Sequence, residues 1–351
     1  MMIRVSPTRR HQPGFTFLEL MLVVSILSGI AVLAFATAGD TEEQRRYEET
    51  QRRLEAIRRA VLGTSEPAWD GQVRLSGYLA DNGVLPTDTT PAGRLVDLLS
   101  QPPGYAGQGL VTPVFDPVPT AATCLNDGGE STVTWGDGEK LVKGWGGPYL
   151  RPAPGSAVFR DGWGNHATGG DDASNFGWIV GTDAHSLTVT SYARDNAIGG
   201  SDYDADLALA LATGSSVWAG NWRVDLSGWT VTVRNTTAAA VNHLRVSVLA
   251  FANDAGGGKW KRITSSEIVT LAAGATDTVS FNAYCNNGSG GGDSRVAQGR
   301  HLIVLVSDAD GSAHSSDDAV LDRDRAMSAV QAWQAAFFAG IDRPALTLEI
   351  R

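Results

Sequence analysis

Residues 15–34 read FTFLELMLVVSILSGIAVLA, an apolar run whose polar members are Thr16, Glu19, Ser25 and Ser28. About 20 residues at ~1.5 Å each reach ~30 Å, the thickness of a bilayer core, so the run is expected to form a membrane-spanning helix. The preceding stretch, MMIRVSPTRRHQPG, carries Arg4, Arg9 and Arg10 and no acid. By the positive-inside rule this places the N-terminus in the cytoplasm and everything after residue 40 across the membrane. An ordinary secretory signal has a shorter apolar core, a small-residue cleavage site and no charge within the core. Glu19 departs from that pattern. A carboxylate inside an apolar segment costs about 2–3 kcal/mol and calls for a partner of opposite charge.

The apolar run leads into residues 41–62, TEEQRRYEETQRRLEAIRRAVL, which hold no glycine or proline and favour a helix. Glu42 with Arg46, Glu48 with Arg52, Glu49 with Arg53 and Glu55 with Arg59 stand at i, i+4 in the favourable order. Leu54, Ile57 and Val61 make a thin apolar stripe, and Gly63 is a natural stop. Joined to the apolar run, the helix would extend over about 48 residues, or ~72 Å.

The whole chain has 351 residues, enough for two domains of ordinary size. A net charge of -10 argues against nucleic acid as a partner. With 41 glycines against 14 prolines, the body is expected to be rich in turns and strands. The two cysteines, Cys124 and Cys285, fit neither a metal knuckle nor a redox pair. One long-range disulfide between them is open if the compartment is oxidising.

Gly14, Phe15, Thr16, Phe17, Leu18 and Glu19 together resemble the class III signal of type IV pilins and type II secretion pseudopilins. The resemblance implies that a prepilin peptidase cuts between Gly14 and Phe15 and methylates the new N-terminus. It also implies that Glu19 pairs during assembly with the N-terminal amine of a neighbouring subunit. Loss of the leader removes three arginines, taking the net charge from -10 to -13. The chain lacks the proline that major members carry near the position of Ala36. Further blocks extend the resemblance to the major pseudopilin: GYLADNGVLPT at 77–87, LVDLLSQP at 95–102, WGGPYL at 145–150 and DGWGN at 161–165. Residues 191–207, SYARDNAIGGSDYDADL, resemble the family's calcium loop, SYGADGxxGGxGxDADI. Carried over by position, Asp195, Asp204 and Asp206 become the carboxylate ligands, with carbonyls near Tyr192 and Ala197 as weaker candidates. Asn196 stands in place of a glycine, and asparagine is the next best tolerated at positive φ. Asp202 adds a charge that is either an extra ligand or a repulsion that calcium relieves. Residues 103–144 are an insertion that the family core does not need.

The resemblance ends after Leu211. Residues 229–234, 243–251, 268–271, 278–284, 301–307 and 346–350 are rich in strand formers, and their spacing suggests an immunoglobulin-like β-sandwich. Residues 318–340, containing AMSAVQAWQAAFFAG, read as a helix packed on it. His243, His301 and His314 are scattered, and no nucleophile elbow, phosphate loop or HExxH is present, so no enzyme is expected. Asp308 and Asp310 fit a hairpin turn better than a second calcium loop. Trp218, Trp222, Trp229 and Trp260 fit core packing better than a sugar-stacking face.

The expected fold is therefore α+β. A leader (1–14) precedes the membrane half of a long N-terminal helix (15–40), a pilin-like antiparallel sheet head (41–214) and a C-terminal β-sandwich (215–351). The expected function is a calcium-stabilised structural subunit of a type II secretion pseudopilus, with a minor type IV pilin bearing an adhesive or glycan-binding module as the alternative. The resemblance implies prepilin peptidase, other pseudopilin or pilin subunits and an inner-membrane assembly platform as partners. It places the chain as a single-pass inner-membrane protein with its head in the periplasm.

Overall fold

Helix α1 (Phe17–Leu62) is fixed at its start by a capping box. The Thr16 hydroxyl accepts the Glu19 N–H at 3.3 Å, and the Glu19 carboxylate accepts the Thr16 N–H at 3.0 Å. The helix stops at Gly63, whose N–H donates to the Arg59 carbonyl at 2.7 Å. The four i, i+4 ion pairs form, at 2.9 Å for Arg46–Glu42, 3.4 Å for Arg52–Glu48, 2.7 Å for Arg53–Glu49 and 3.2 Å for Arg59–Glu55. The structure is a computed structural model and describes residues 16–63, 65–67, 73–87, 95–111, 114–115, 133–134, 141–156, 158–165, 177–182, 186–209, 222–281, 294–307, 332–339 and 341–351.

After α1 come β1 (Ser65–Pro67) and β2 (Val73–Leu75), paired antiparallel, then the short helices α2 (Tyr78–Asn82) and α3 (Val96–Leu99). Strands β3 (Gly109–Val111) and β6 (Leu141–Lys143) pair, as do β4 (Val114–Phe115) and β5 (Val133–Thr134). Strands β7 (Ile179–Thr182), β8 (Leu187–Ser191) and β9 (Leu207–Ala208) form an antiparallel sheet in sequence order. Leu54, Ile57 and Val61 of α1 enter one core with Tyr78, Leu98, Trp178 and Leu187.

The second body holds β10 (Arg223–Asp225), β11 (Thr230–Asn235), β12 (Val241–Asp254), β13 (Gly257–Thr264), β14 (Ile268–Leu271), β15 (Thr276–Ser280), β16 (Arg295–Ala297), β17 (Gly299–Ser307), β18 (Ala332–Phe337) and β19 (Leu346–Ile350). One sheet has the order β15-β11-β19, with β11 and β19 parallel. The other runs β13-β12-β17-β18, with β14 on the end of β12, and β10 pairs with β16 alone. Alternate residues such as Val231, Val233, Val246, Val248, Ile303 and Phe337 point from the two sheets into a shared core.

Several expectations need correction. The fold class is β-rich, with nineteen strands among the described residues, rather than α+β around a membrane helix and one pilin-like sheet. Strand structure in the head is divided between one three-stranded sheet and short ribbons. Among the described residues no helix is long and apolar enough to cross a membrane, which overturns the single-pass inner-membrane placement. The helix read over 318–340 is also overturned where it can be compared. Residues 332–337 are β18, paired with β17 from Gly299 to Val304, because long-range pairing outweighs the local helix preference of an alanine-rich segment. Trp222, Trp229 and Trp260 are buried in three different cores, so they offer no common sugar-stacking face. Cys124, Cys285, Trp218, His314, Asp308 and Asp310 lie outside the described residues, as does 318–331.

The insertion at 103–144 joins the two bodies. Leu141 packs with Leu249, Phe251, Trp260, Leu302 and Val304 of the second body. Buried Asn253 donates to Asn82 Oδ1 at 2.8 Å and to the Ala106 carbonyl at 2.9 Å, while its own carbonyl accepts the Ala106 N–H at 2.9 Å. Gly83, at φ 71, brings its backbone so near the Phe251 carbonyl that a Cβ would lie 1.9 Å from that oxygen. Lys143 is buried here, and its Nζ donates to the Ala80 carbonyl at 2.6 Å. Burial pushes Lys143 down to about 8 and Asp81 opposes the shift, while neighbouring His301 is pushed down to about 3 by burial and by Lys143.

Because the folded value for Lys143 lies below its usual 10.5, the fold disfavours the charged ammonium. Stability should rise as pH climbs from about 8 to about 10.5 and be lowest, by about 3 kcal/mol from this group, below that window. Urea denaturation of Lys143→Met across pH 7–10.5 should show a variant more stable than the parent at pH 7, with the difference closing toward pH 10.5.

Candidate functional site

The 191–207 segment is seventeen residues long, leaving β8 at Ser191 and returning as β9 at Leu207 in the same sheet. Its shape needs unusual backbone. Ala193, Asn196 and Asp202 all sit near φ 52–53, and Asn196 does so where the resembling loops have glycine. Gly200, at φ 88, lies against Asp204, whose carbonyl oxygen would be 2.3 Å from an added Cβ. A 3-10 turn spans Asp202–Asp204, and the Asp204 N–H donates to Ser201 at 2.9 Å. The loop closes on itself through Arg194 N–H to the Tyr203 carbonyl at 3.1 Å and Asp206 N–H to the Gly199 carbonyl at 3.3 Å.

The loop rests on a platform made by the DGWGN turn and α1. Buried Asp161 accepts the Ser191 hydroxyl at 2.7 Å, the Gly164 N–H at 2.8 Å, the Asn165 N–H at 3.1 Å and the Asn165 side-chain amide at 2.9 Å. Burial pushes the Asp161 carboxyl up, and the donors from Ser191, Asn165 and Gly164 work against that shift. Asn165 donates onward to the Ala193 carbonyl at 2.6 Å, which holds the left-handed residue in place. From α1, Thr50 accepts the Gly162 N–H at 3.0 Å, and Arg53 donates to the carbonyls of Arg160 and Asp161 at 2.9 Å each. Tyr203 meets Tyr47 of α1 edge to face, with ring centroids 6.1 Å apart.

Each carboxylate expected to hold calcium has another partner. Asp204 takes a two-point grip from Arg194, Nε to Oδ1 at 2.7 Å and an Nη to Oδ2 at 2.8 Å. The other Nη of Arg194 donates to Glu43 of α1 at 2.8 Å. These bonds hold the Asp204 carboxyl below the usual carboxylate range. Asp195 accepts the Ala197 N–H at 3.1 Å, and Asp206 Oδ2 accepts the Gly199 N–H at 3.0 Å. Asp206 Oδ1 is buried without a hydrogen-bond partner, beside a groove of about 540 Å³ between α1 and β9 lined by Tyr47, Leu54, Arg58 and Leu207.

Calcium wants six to eight oxygens at ~2.4 Å. Among the described residues no group of three or more His, Cys, Asp or Glu side chains is placed to hold a metal ion. A guanidinium lies against both Asp204 oxygens, where an ion would have to enter. The side-chain oxygens as arranged do not fit a bound calcium ion.

Of the other predicted positions, Gly14 and Phe15 lie outside the described residues. Glu19 is at the start of α1 in the capping box and is not brought to the loop. Sequence reasoning passed over Arg194, Glu43 and Asp161. The first was visible as an arginine where the resembling loops have alanine, and the third as the leading aspartate of DGWGN. No known protein family, curated protein or solved structure matches the chain.

Asp161→Ala would strand the Ser191 hydroxyl and the Gly164 and Asn165 amides. The expected loss is about 2–4 kcal/mol in urea denaturation. Amide exchange should quicken at 191–206, with the β12–β17 pairing unaffected.

Proposed function

We propose that this chain is a structural subunit of a type II secretion pseudopilus, cut by a prepilin peptidase between Gly14 and Phe15 and assembled with other subunits through α1. The observation that carries this reading is the exposed apolar surface at the start of α1. Phe17 and Leu18 are 77% and 76% exposed, and Leu22, Ile26, Ile30 and Val32 continue the surface. So large an apolar surface in water calls for a partner. Parallel copies of the same helix would cover it side by side, while the charged part of α1 carries the folded body outside the helical bundle.

Glu19 fits such an assembly. Its carboxylate stands at the helix start, where the amine exposed by cleavage before Phe15 would be drawn to it, from the same chain or from a neighbour. The ordered blocks at 77–87, 145–150, 161–165 and 191–207 support the same family. The second body is bound to the first through Asn253 and Leu141, so each subunit brings it as a fixed bulk. A low-copy or tip position accommodates that bulk best.

Mass spectrometry of the chain isolated from its source should find a methylated N-terminal Phe15. Deleting the gene should trap normally secreted enzymes inside the cell, and Glu19→Ala should be cleaved normally but enter filaments poorly. An intact N-terminus with secretion unchanged in the deletion strain would defeat the reading.

A further inference from the structure

We propose that Arg194 is the built-in cation of the 191–207 loop, its guanidinium tying Asp204 to Glu43 of α1 so that the loop folds and stays docked without a metal ion. This does not depend on the filament reading.

The geometry supplies what a bound cation would otherwise supply. Asp195, Asp202, Asp204 and Asp206 put four carboxylates within twelve residues, and such a run repels itself unless positive charge is added. Arg194 adds that charge from inside the loop. Its planar fork matches the two Asp204 oxygens at 2.7 and 2.8 Å, and the remaining nitrogen reaches Glu43, 151 residues earlier, at 2.8 Å. An ion coordinated by Asp204 at ~2.4 Å would need the space that the guanidinium hydrogens occupy, so the two cations exclude each other. The arginine also performs a task that a loop-bound ion does not. It links the loop directly to the helix, next to the Tyr47–Tyr203 contact, and so fixes the loop's position as well as its shape.

The test uses the purified full-length chain in mild detergent. With 5 mM calcium chloride or 5 mM EDTA, its melting temperature should agree within about 1 °C. Added terbium should give no sensitised emission, although Tyr203 lies in the loop and Trp163 is 6.4 Å from it. Arg194→Ala should melt about 2–5 °C lower in EDTA, with faster amide exchange over 194–206. If that variant does not fold, Glu43→Ala keeps the fork on Asp204 and cuts the link to α1, and it should show the faster loop exchange with the β12–β17 amides unaltered. A melting temperature that rises by several degrees with calcium, or saturable terbium emission at micromolar metal, overturns the proposal. So does an Arg194→Ala chain that melts and exchanges like its parent.

Discussion

Leu54, Ile57, Ala60 and Val61 project from one face of α1 into the head core, and that burial holds the platform for everything else in the first body. Four such side chains, each giving about 1–3 kcal/mol on burial, fix the helix against Tyr78, Leu98 and Trp178. With that face committed, Glu43, Thr50 and Arg53 are presented to the DGWGN turn and the acidic loop. A helix that is charged all round would have no fixed orientation. The thin apolar stripe is what turns a generic Glu–Arg helix into a positioned one.

The second body is held just as firmly, by different means. Its contact with the head combines apolar packing around Leu141 and Phe251 with a buried polar link through Asn82, Asn253 and the backbone of Ala106. The side-chain amide of Asn253 both donates and accepts at Ala106, so the link is directional and admits one register. Buried Lys143 makes this contact costlier than it need be, since its ammonium is taken out of water for one carbonyl bond and the nearby Asp81 charge. The two bodies are in this respect one structure, and the segment between them is part of the joint.

In the acidic loop the negative charge is met by a residue of the loop itself, Arg194. The aspartates at 195, 204 and 206 match the resembling loops, while Ala193, Asn196 and Asp202 stand where those loops have glycine and still take left-handed backbone here. An arginine at 194 then answers the negative charge from within, and the expected ligands find protein partners: Asp204 the guanidinium, Asp195 and Asp206 backbone amides. Fold-directing features of a motif and its ion-binding chemistry are separable, because backbone turns depend on φ values while coordination depends on which oxygens remain unclaimed.

The sequence by itself determined what is settled within a few residues. The four i, i+4 ion pairs of α1, its stop at Gly63, the positive φ of Asn196 and the strands near 230, 268 and 346 were legible, since helix and strand geometry put those groups together whatever the rest of the chain does. Tertiary structure decided the remainder. Residues 332–337 became a strand because β17 offered them a pairing edge, and the 103–144 insertion became a joint because Leu249 and Asn253 stood opposite it. Arg194 became a clamp because chain closure brought it to Glu43. Contacts between residues about 30 to more than 150 positions apart depend on how the whole chain packs, and no local spacing encodes them.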